Sequence, residues 1–156
     1  MSNKHQNYQK QLRYYKDETG EKDVDLRQLA AWMIKKGHKP PTPKTPVELL
    51  ARELASALRE ETRYDKISGR PYRANHAFAS GDLFTWFDID EKPVRRKMHA
   101  SLMKRREQMV GDGLQLSLDA DHWNSENADQ EAIPMPLDLE LDVQIRKMAP
   151  PEKEAA

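Results

Sequence analysis

The chain has 156 residues and no cysteine, so disulfides, thiolate metal sites and cysteine nucleophiles are excluded. Its length suits one domain, and the 33% share of charged residues predicts a small core with polar tails. The longest apolar run, Leu29 to Ile34, is far shorter than the roughly 20 residues that span a bilayer. We therefore expect a cytoplasmic protein that does not enter a membrane.

The formal net charge of zero is the sum of two opposite halves. Residues 1–106 carry 23 Lys/Arg and 14 Asp/Glu, a net charge of +9, whereas residues 107–156 carry 3 and 12, a net charge of −9. A basic half of this kind is typical of a surface for nucleic acid or another polyanion. The acidic half can cover such a surface or recruit a protein partner.

Residues 1–23 are predicted to form a basic, polar N-terminal arm. Three tyrosines alternate there with lysines and an arginine, a composition that fits phosphate contacts and base stacking. Tyr8, Leu12 and Tyr15 also recur at helical spacing. We favour the interpretation in which this stripe docks on the rest of the fold, because short charged termini usually have no ligand.

Two helices are predicted next, in a single α+β domain over residues 24–123. Asp25 is placed to cap a helix that ends near Lys36. After a stiff, proline-rich connector, Thr45 begins a second helix that runs to about Thr62. The apolar face of this second helix is expected to be buried through Val47, Leu50, Ala51, Leu54 and Leu58.

A β-hairpin follows the second helix. Apolar and polar side chains alternate from Tyr72 to Phe78 and again from Leu83 to Ile89, with a Ser-Gly-Asp turn between them. The second strand carries aromatic residues on both faces. One face is therefore expected to pack on the helices, and the other on the C-terminal segment or on a partner.

The third predicted helix begins after Pro93 and holds most of the clustered positive charge. Val94, Met98, Leu102 and Met109 share one arc, to which Leu116, Ala120 and Trp123 return, and this indicates a continuous helix to about Trp123. Gly111 and Gly113 each cost about 1 kcal/mol and favour a break, after which Leu114, Leu116 and Leu118 would alternate as a strand. The cations flank this arc on both sides and do not form one stripe, which is typical of a packed seam, whereas their clustering favours a polyanion-binding surface. The candidate nucleic-acid-binding residues are Lys92, Arg95, Arg96, Lys97, Lys104, Arg105 and Arg106.

Residues 124–156 are predicted to form an acidic C-terminal segment with a disordered end, which lies largely outside the residues that the structure describes. Leucines alternate with acidic residues after Pro136, which predicts a strand over residues 137–145. This strand would either join the hairpin as a third strand or offer an edge to another protein. The first arrangement is favoured, because an exposed apolar strand promotes aggregation.

The sequence holds no phosphate-binding glycine loop, dinucleotide fingerprint, serine elbow or two-histidine zinc helix, and no cofactor is implied. His76 on the first strand, Asp90 after the second and His99 on the third helix follow an order that resembles the ββα metal nucleases. The resemblance implies that these residues would converge on one metal ion. A metal-dependent nuclease is therefore a minor alternative.

Together these patterns predict a small, mostly helical α+β protein in helix-helix-hairpin-helix order that works by binding rather than by catalysis. The leading hypothesis is nucleic-acid association through the basic helix. The acidic C-terminal segment would then cover the site or recruit a protein partner. The competing hypothesis is a protein-interaction adaptor or homo-oligomer, in which the two charged halves neutralise one another within the fold or across a dimer.

Overall fold

The computed structural model describes residues 3–81 and 83–150, with the backbone alone described at Leu83. Its helices and two β-hairpins confirm the α+β class. By internal packing the chain divides into one unit up to Glu48 and a second from Leu49 onward. In chain order the elements are α1 (Lys4–Thr19), α2 (Leu26–Lys35), α3 (Pro46–Glu60), β1 (Thr62–Tyr64), β2 (Pro71–Arg73), β3 (Asn75–Ser80), β4 (Leu83–Asp88), a 3-10 turn (Ile89–Glu91), α4 (Arg95–Glu126) and α5 (Glu140–Met148).

The first unit is a pair of helices around a small apolar core. Tyr15 of α1 is buried with Leu29 and Met33 of α2, and Tyr8 and Leu12 pack against this cluster. The N-terminal region is therefore a docked helix, as its tyrosine and leucine spacing predicts. The Asp25 carboxylate caps α2 by accepting a hydrogen bond from the Arg27 amide in the first turn of that helix. This contact confirms the predicted start of α2.

α3 begins where the sequence places it. The Glu48 amide donates to the Thr45 hydroxyl oxygen over 3.2 Å, and the Glu48 carboxylate accepts from the Thr45 amide over 2.9 Å. The expected burial of its apolar face is wrong, because the Val47, Leu50 and Leu54 side chains are exposed. An amphipathic pattern requires a partner surface, but it does not say which molecule provides that surface.

Two hairpins stand where the sequence predicts one. β1 pairs with β2 across a turn in which Gly69 has φ of 68°, a left-handed conformation that suits glycine. The predicted hairpin is confirmed as β3 paired with β4, in a register that sets His76 opposite Phe87. The two sheets are joined by the buried Ala74, whose carbonyl accepts from Ile89 and whose amide donates to Glu61. This break places the predicted strand start, Tyr72, in the earlier hairpin.

α4 is one continuous helix of 32 residues that passes through both of its glycines, as predicted. Ser101 is buried in the first third of α4, which contacts β3. Neither α4 nor any other helix in the described ranges combines the length and the apolar character that a membrane crossing needs.

The predicted strand over residues 137–145 is wrong, because residues 140–148 form the helix α5. Glu140 and Asp142 in its first turn and Arg146 and Lys147 in its last complement the helix dipole. Local charge thus favours helix where the leucine alternation favours strand. Within the described residues both sheets have two strands, so the hairpin has no third strand.

Arg63 ties the first hairpin to the end of the second. Its guanidinium donates two hydrogen bonds to Asp88, at 2.8 and 2.7 Å, and one to Asp90 at 2.6 Å. The Tyr72 hydroxyl also donates to Asp90, at 2.9 Å. Hydrogen bonding to Arg63 lowers the pKa of Asp88 below its ordinary value. This ion-pair network therefore adds to the backbone hydrogen bonds of Ala74 in joining the two hairpins.

We expect Arg63→Met to lower the urea midpoint of unfolding, because it leaves neighbouring carboxylates without their cation. Because the pKa of Asp88 is lower in the folded state, its ionised carboxylate stabilises the fold above the ordinary carboxyl pKa. This contribution to the free energy of unfolding is lost as pH falls through the folded-state pKa. Urea unfolding near neutral pH and in acid measures both effects. Lys66→Met is the control, because Lys66 forms no ion pair in the described part of the chain. An equal decrease in both variants would contradict this role for Arg63.

Candidate nucleic-acid interface

An open groove of about 420 Å³ lies between the β3–β4 hairpin and α4 in the second unit. The hairpin supplies two aromatic rings, and α4 supplies Ser101, Arg105 and other polar side chains. Arg59 near the end of α3 and Arg73 of β2 extend the wall. We call this feature the basic groove. Its lining includes Arg59, Arg73, His76, Phe84, Trp86, Ser101, Lys104, Arg105, Gln108 and Asp112.

Positive charge dominates the basic groove. Four cationic side chains line it, namely those of Arg59, Arg73, Lys104 and Arg105, against the one carboxylate of Asp112 among its described lining residues. None of the four cations lies within ion-pair distance of an acid in the described ranges. Desolvation, and then the like charge of Arg73, lower the pKa of Arg105. The groove therefore holds positive charges that repel one another and would be stabilised by an anion.

The aromatic rings hold two of these cations against the hairpin. The Arg59 guanidinium lies 5.6 Å from the centre of the Trp86 ring, and the Lys104 ammonium lies 4.4 Å from that of Phe84. Across the hairpin, Trp86 is opposite Ala77 and Phe84 is opposite Ala79. Each ring is therefore opposite a small alanine side chain on this face of the hairpin.

His76 lies behind the basic groove and is 6% exposed. Its Nε2 lies 3.1 Å from the Arg73 carbonyl oxygen, to which it donates, and its ring stacks on Phe87. Burial lowers the pKa of His76, and the positive charges of Arg105 and Arg73 lower it further, against the opposing effect of that hydrogen bond. His76 is therefore neutral at physiological pH and holds β3 to the end of β2.

The structure separates the predicted binding residues into two groups. Lys104 and Arg105 line the basic groove. The other five lie outside its lining: Arg106 is 3.8 Å from Glu107, Lys97 lies over the Phe78 ring, and Lys92, Arg95 and Arg96 are exposed.

Sequence reasoning missed Arg59, Arg73 and the groove role of Trp86 and Phe84. Arg59 belongs to a helix face of mixed charge, which is typical of a solvated surface. Arg73 lies on the predicted hairpin, away from the cluster of cations on the third predicted helix. The aromatic residues on both faces of β4 were the one signal that this strand packs or binds on two sides.

The residues of the nuclease hypothesis are engaged elsewhere. Asp90 accepts hydrogen bonds from Arg63 and Tyr72, His76 bonds to a backbone carbonyl, and His99 is exposed. In the described ranges, no three His, Asp or Glu side chains are grouped so that they could hold a metal ion. The geometry thus gives no support to metal-dependent cleavage.

Within the described residues, the acidic C-terminal segment contacts the rest of the second unit through hydrogen bonds and an apolar contact, and it forms no ion pair with a basic residue. Asn124 exchanges hydrogen bonds with the backbone of Ile133, and Leu137 lies against Gly113. Arg70 donates to the carbonyl oxygens of Lys147 and Ala149 at the end of α5. For residues 3–81 and 83–150, no ion pair joins this segment to a cation of the groove.

Comparison of this chain with protein-family models, with curated proteins and with solved structures gives no match.

We expect the unit that contains His76 to lose stability as the pH falls. Because the pKa of His76 is lower in the folded state, protonation of this residue favours unfolding. Its contribution to the free energy of unfolding is therefore present above the ordinary histidine pKa of about 6.5 and is lost below that pH. Thermal unfolding between about pH 7.5 and 5 should show this slope, and His76→Gln should flatten it. His99→Gln is the matched control, since His99 is exposed. An unchanged slope in His76→Gln would contradict the assignment.

Proposed function

We propose that this protein binds nucleic acid through the basic groove. The observation that carries the proposal is the set of four cations, unpaired with acid in the described ranges, that lines one groove beside two aromatic rings. Phosphates supply the missing negative charge, and bidentate guanidinium groups such as those of Arg73 and Arg105 suit phosphate oxygens. The function is association without catalysis.

Single-stranded nucleic acid fits this groove better than a duplex does. The Phe84 side chain is 55% exposed, so its ring is accessible to an unpaired base. In a duplex the base faces are stacked inside, and only phosphates and groove edges are available. The proposed mode therefore combines phosphate contacts to Arg73, Lys104 and Arg105 with stacking on the hairpin rings.

Exposed apolar side chains on α5 favour a second function, binding of a protein partner. Leu141, Ile145 and Met148 recur at helical spacing and are 67%, 56% and 83% exposed. An amphipathic helix of this kind can lie in the apolar groove of another protein. The acidic C-terminal segment would then recruit a partner while the basic groove binds nucleic acid.

We expect labelled single-stranded DNA or RNA to bind with an affinity that falls steeply with salt. Changing Arg73, Lys104 and Arg105 to glutamine should weaken binding by about tenfold or more at low salt and reduce the logarithmic salt slope by about 2. Fluorescence anisotropy at several salt concentrations measures both quantities.

The matched control changes three cations outside the groove, Lys92, Arg95 and Lys97, to glutamine. Net charge falls equally in both triple variants, so a general electrostatic effect would weaken binding equally. Equal losses would contradict the groove assignment, and no binding by the intact protein at low salt would contradict the proposed function.

Stacking predicts a separate effect at Phe84. Phe84→Ala should reduce affinity for single-stranded oligonucleotides by about 1 kcal/mol or more, and affinity for duplexes much less. Tyr64→Ala is the control, because Tyr64 is 46% exposed and does not line the groove. Equal affinity of wild type and Phe84→Ala for single strands would remove base stacking from the proposed mode.

A further inference from the structure

Charge is fully segregated along α4. Residues 95–106 hold six Lys/Arg and no acid, whereas residues 107–126 hold five Asp/Glu and no Lys or Arg. A helix has a partial positive charge at its N-terminus and a partial negative charge at its C-terminus, so both halves of α4 oppose the dipole of their own helix. Among the described ion pairs, α4 contributes one, the 3.8 Å contact of Arg106 with Glu107. Within the described residues, no other ion pair of α4 offsets this electrostatic cost.

α4 also has an exposed apolar stripe, formed by Met103, Val110, Leu114 and Leu118. Their side chains are 39%, 50%, 61% and 53% exposed, and they fall within an arc of about 80°. The basic groove uses the opposite side of the helix, and Leu137 lies along a third side at Gly113. In the part of the chain that the structure describes, neither the hairpin nor the acidic C-terminal segment covers these side chains.

We infer that α4 pairs antiparallel with α4 of a second copy of this chain along the apolar stripe. Parallel pairing would set basic half beside basic half and acidic half beside acidic half. Antiparallel pairing sets each basic half beside an acidic half and aligns the two helix dipoles favourably. Arg96 and Asp121 lie on the arc of the stripe, at its opposite ends. In the antiparallel pair, Arg96 of each copy therefore lies beside Asp121 of the other copy.

The dimensions suit a two-stranded coil with twofold symmetry. The interval from Arg96 to Asp121 spans about 38 Å of helix, which corresponds to more than three heptads. A twofold axis across the middle of the stripe makes the surface complementary to itself. Ser101 and Arg105 lie on the side of α4 away from the stripe, and Lys104 lies at its flank, about 80° from the centre of the stripe, so both basic grooves of the dimer stay open.

Sedimentation equilibrium of the full chain without nucleic acid tests the inference independently of the proposed function. We expect twice the chain mass of 18.1 kDa at micromolar concentration. Leu114→Glu should weaken association by about tenfold or more with an unchanged circular dichroism spectrum, since an exposed side chain contributes little to the fold of one copy. Ile67→Glu is the control, because Ile67 is 98% exposed in the β1–β2 turn. A monomeric intact chain, or a dimer insensitive to Leu114→Glu, would overturn the inference.

Charge reversal tests the orientation of the pair. Arg96→Glu alone should weaken the dimer, because each new glutamate meets Asp121 of the other copy. Arg96→Glu combined with Asp121→Arg should restore it, because the opposite charges then meet again. Stronger association in the single variant, or no rescue in the double variant, would overturn the antiparallel arrangement.

Discussion

Like charges held near one another raise the free energy of a fold. Arg73 and Arg105 line the same groove, neither forms an ion pair within the described residues, and the charge of Arg73 contributes to the lowered pKa of Arg105. Both lie on backbone that the surrounding packing fixes: His76 bonds to the Arg73 carbonyl, and Ser101 is buried one turn before Arg105. Under the proposed function, a bound phosphate would supply the negative charge that offsets this repulsion.

The second unit depends on polar connections because its buried apolar core is very small. In the described ranges, Ala74 is the one hydrophobic residue of this unit that is buried. The Arg63 ion-pair network and the Arg70 contacts with the end of α5 join elements that few apolar side chains connect. The apolar residues that would enlarge a core are instead on the outer faces of α3, α4 and α5. Exposed apolar faces of this extent are typical of chains that bury them against other molecules.

Local rules explain which parts of this fold can be read from sequence. The Asp25 and Thr45 caps, the β3–β4 pairing and the continuity of α4 each depend on residues within a few positions of one another. Burial of α3 depends on distant surfaces, which no local pattern specifies. α5 shows two local signals in conflict, since its leucine alternation predicts strand while the charges of Glu140 and Lys147 suit helix. The groove likewise cannot be read from a local pattern, because Arg59 and Arg73 reach it from elements far from the basic cluster in the sequence.

The acidic half of α4 has a consequence for where nucleic acid can lie. Asp112 marks the end of the groove, and every ionisable carboxylate of α4 lies from Glu107 onward. In the proposed mode, phosphates are repelled by that half and attracted by the half before it, so a bound strand would lie beside the basic first half of α4. In an antiparallel pair the acidic half of one copy flanks the basic half of the other on the stripe side, and it neutralises the cations there. Arg105 lies opposite the stripe and Arg73 lies on β2, so in the proposed pair these two cations would stay available for phosphate.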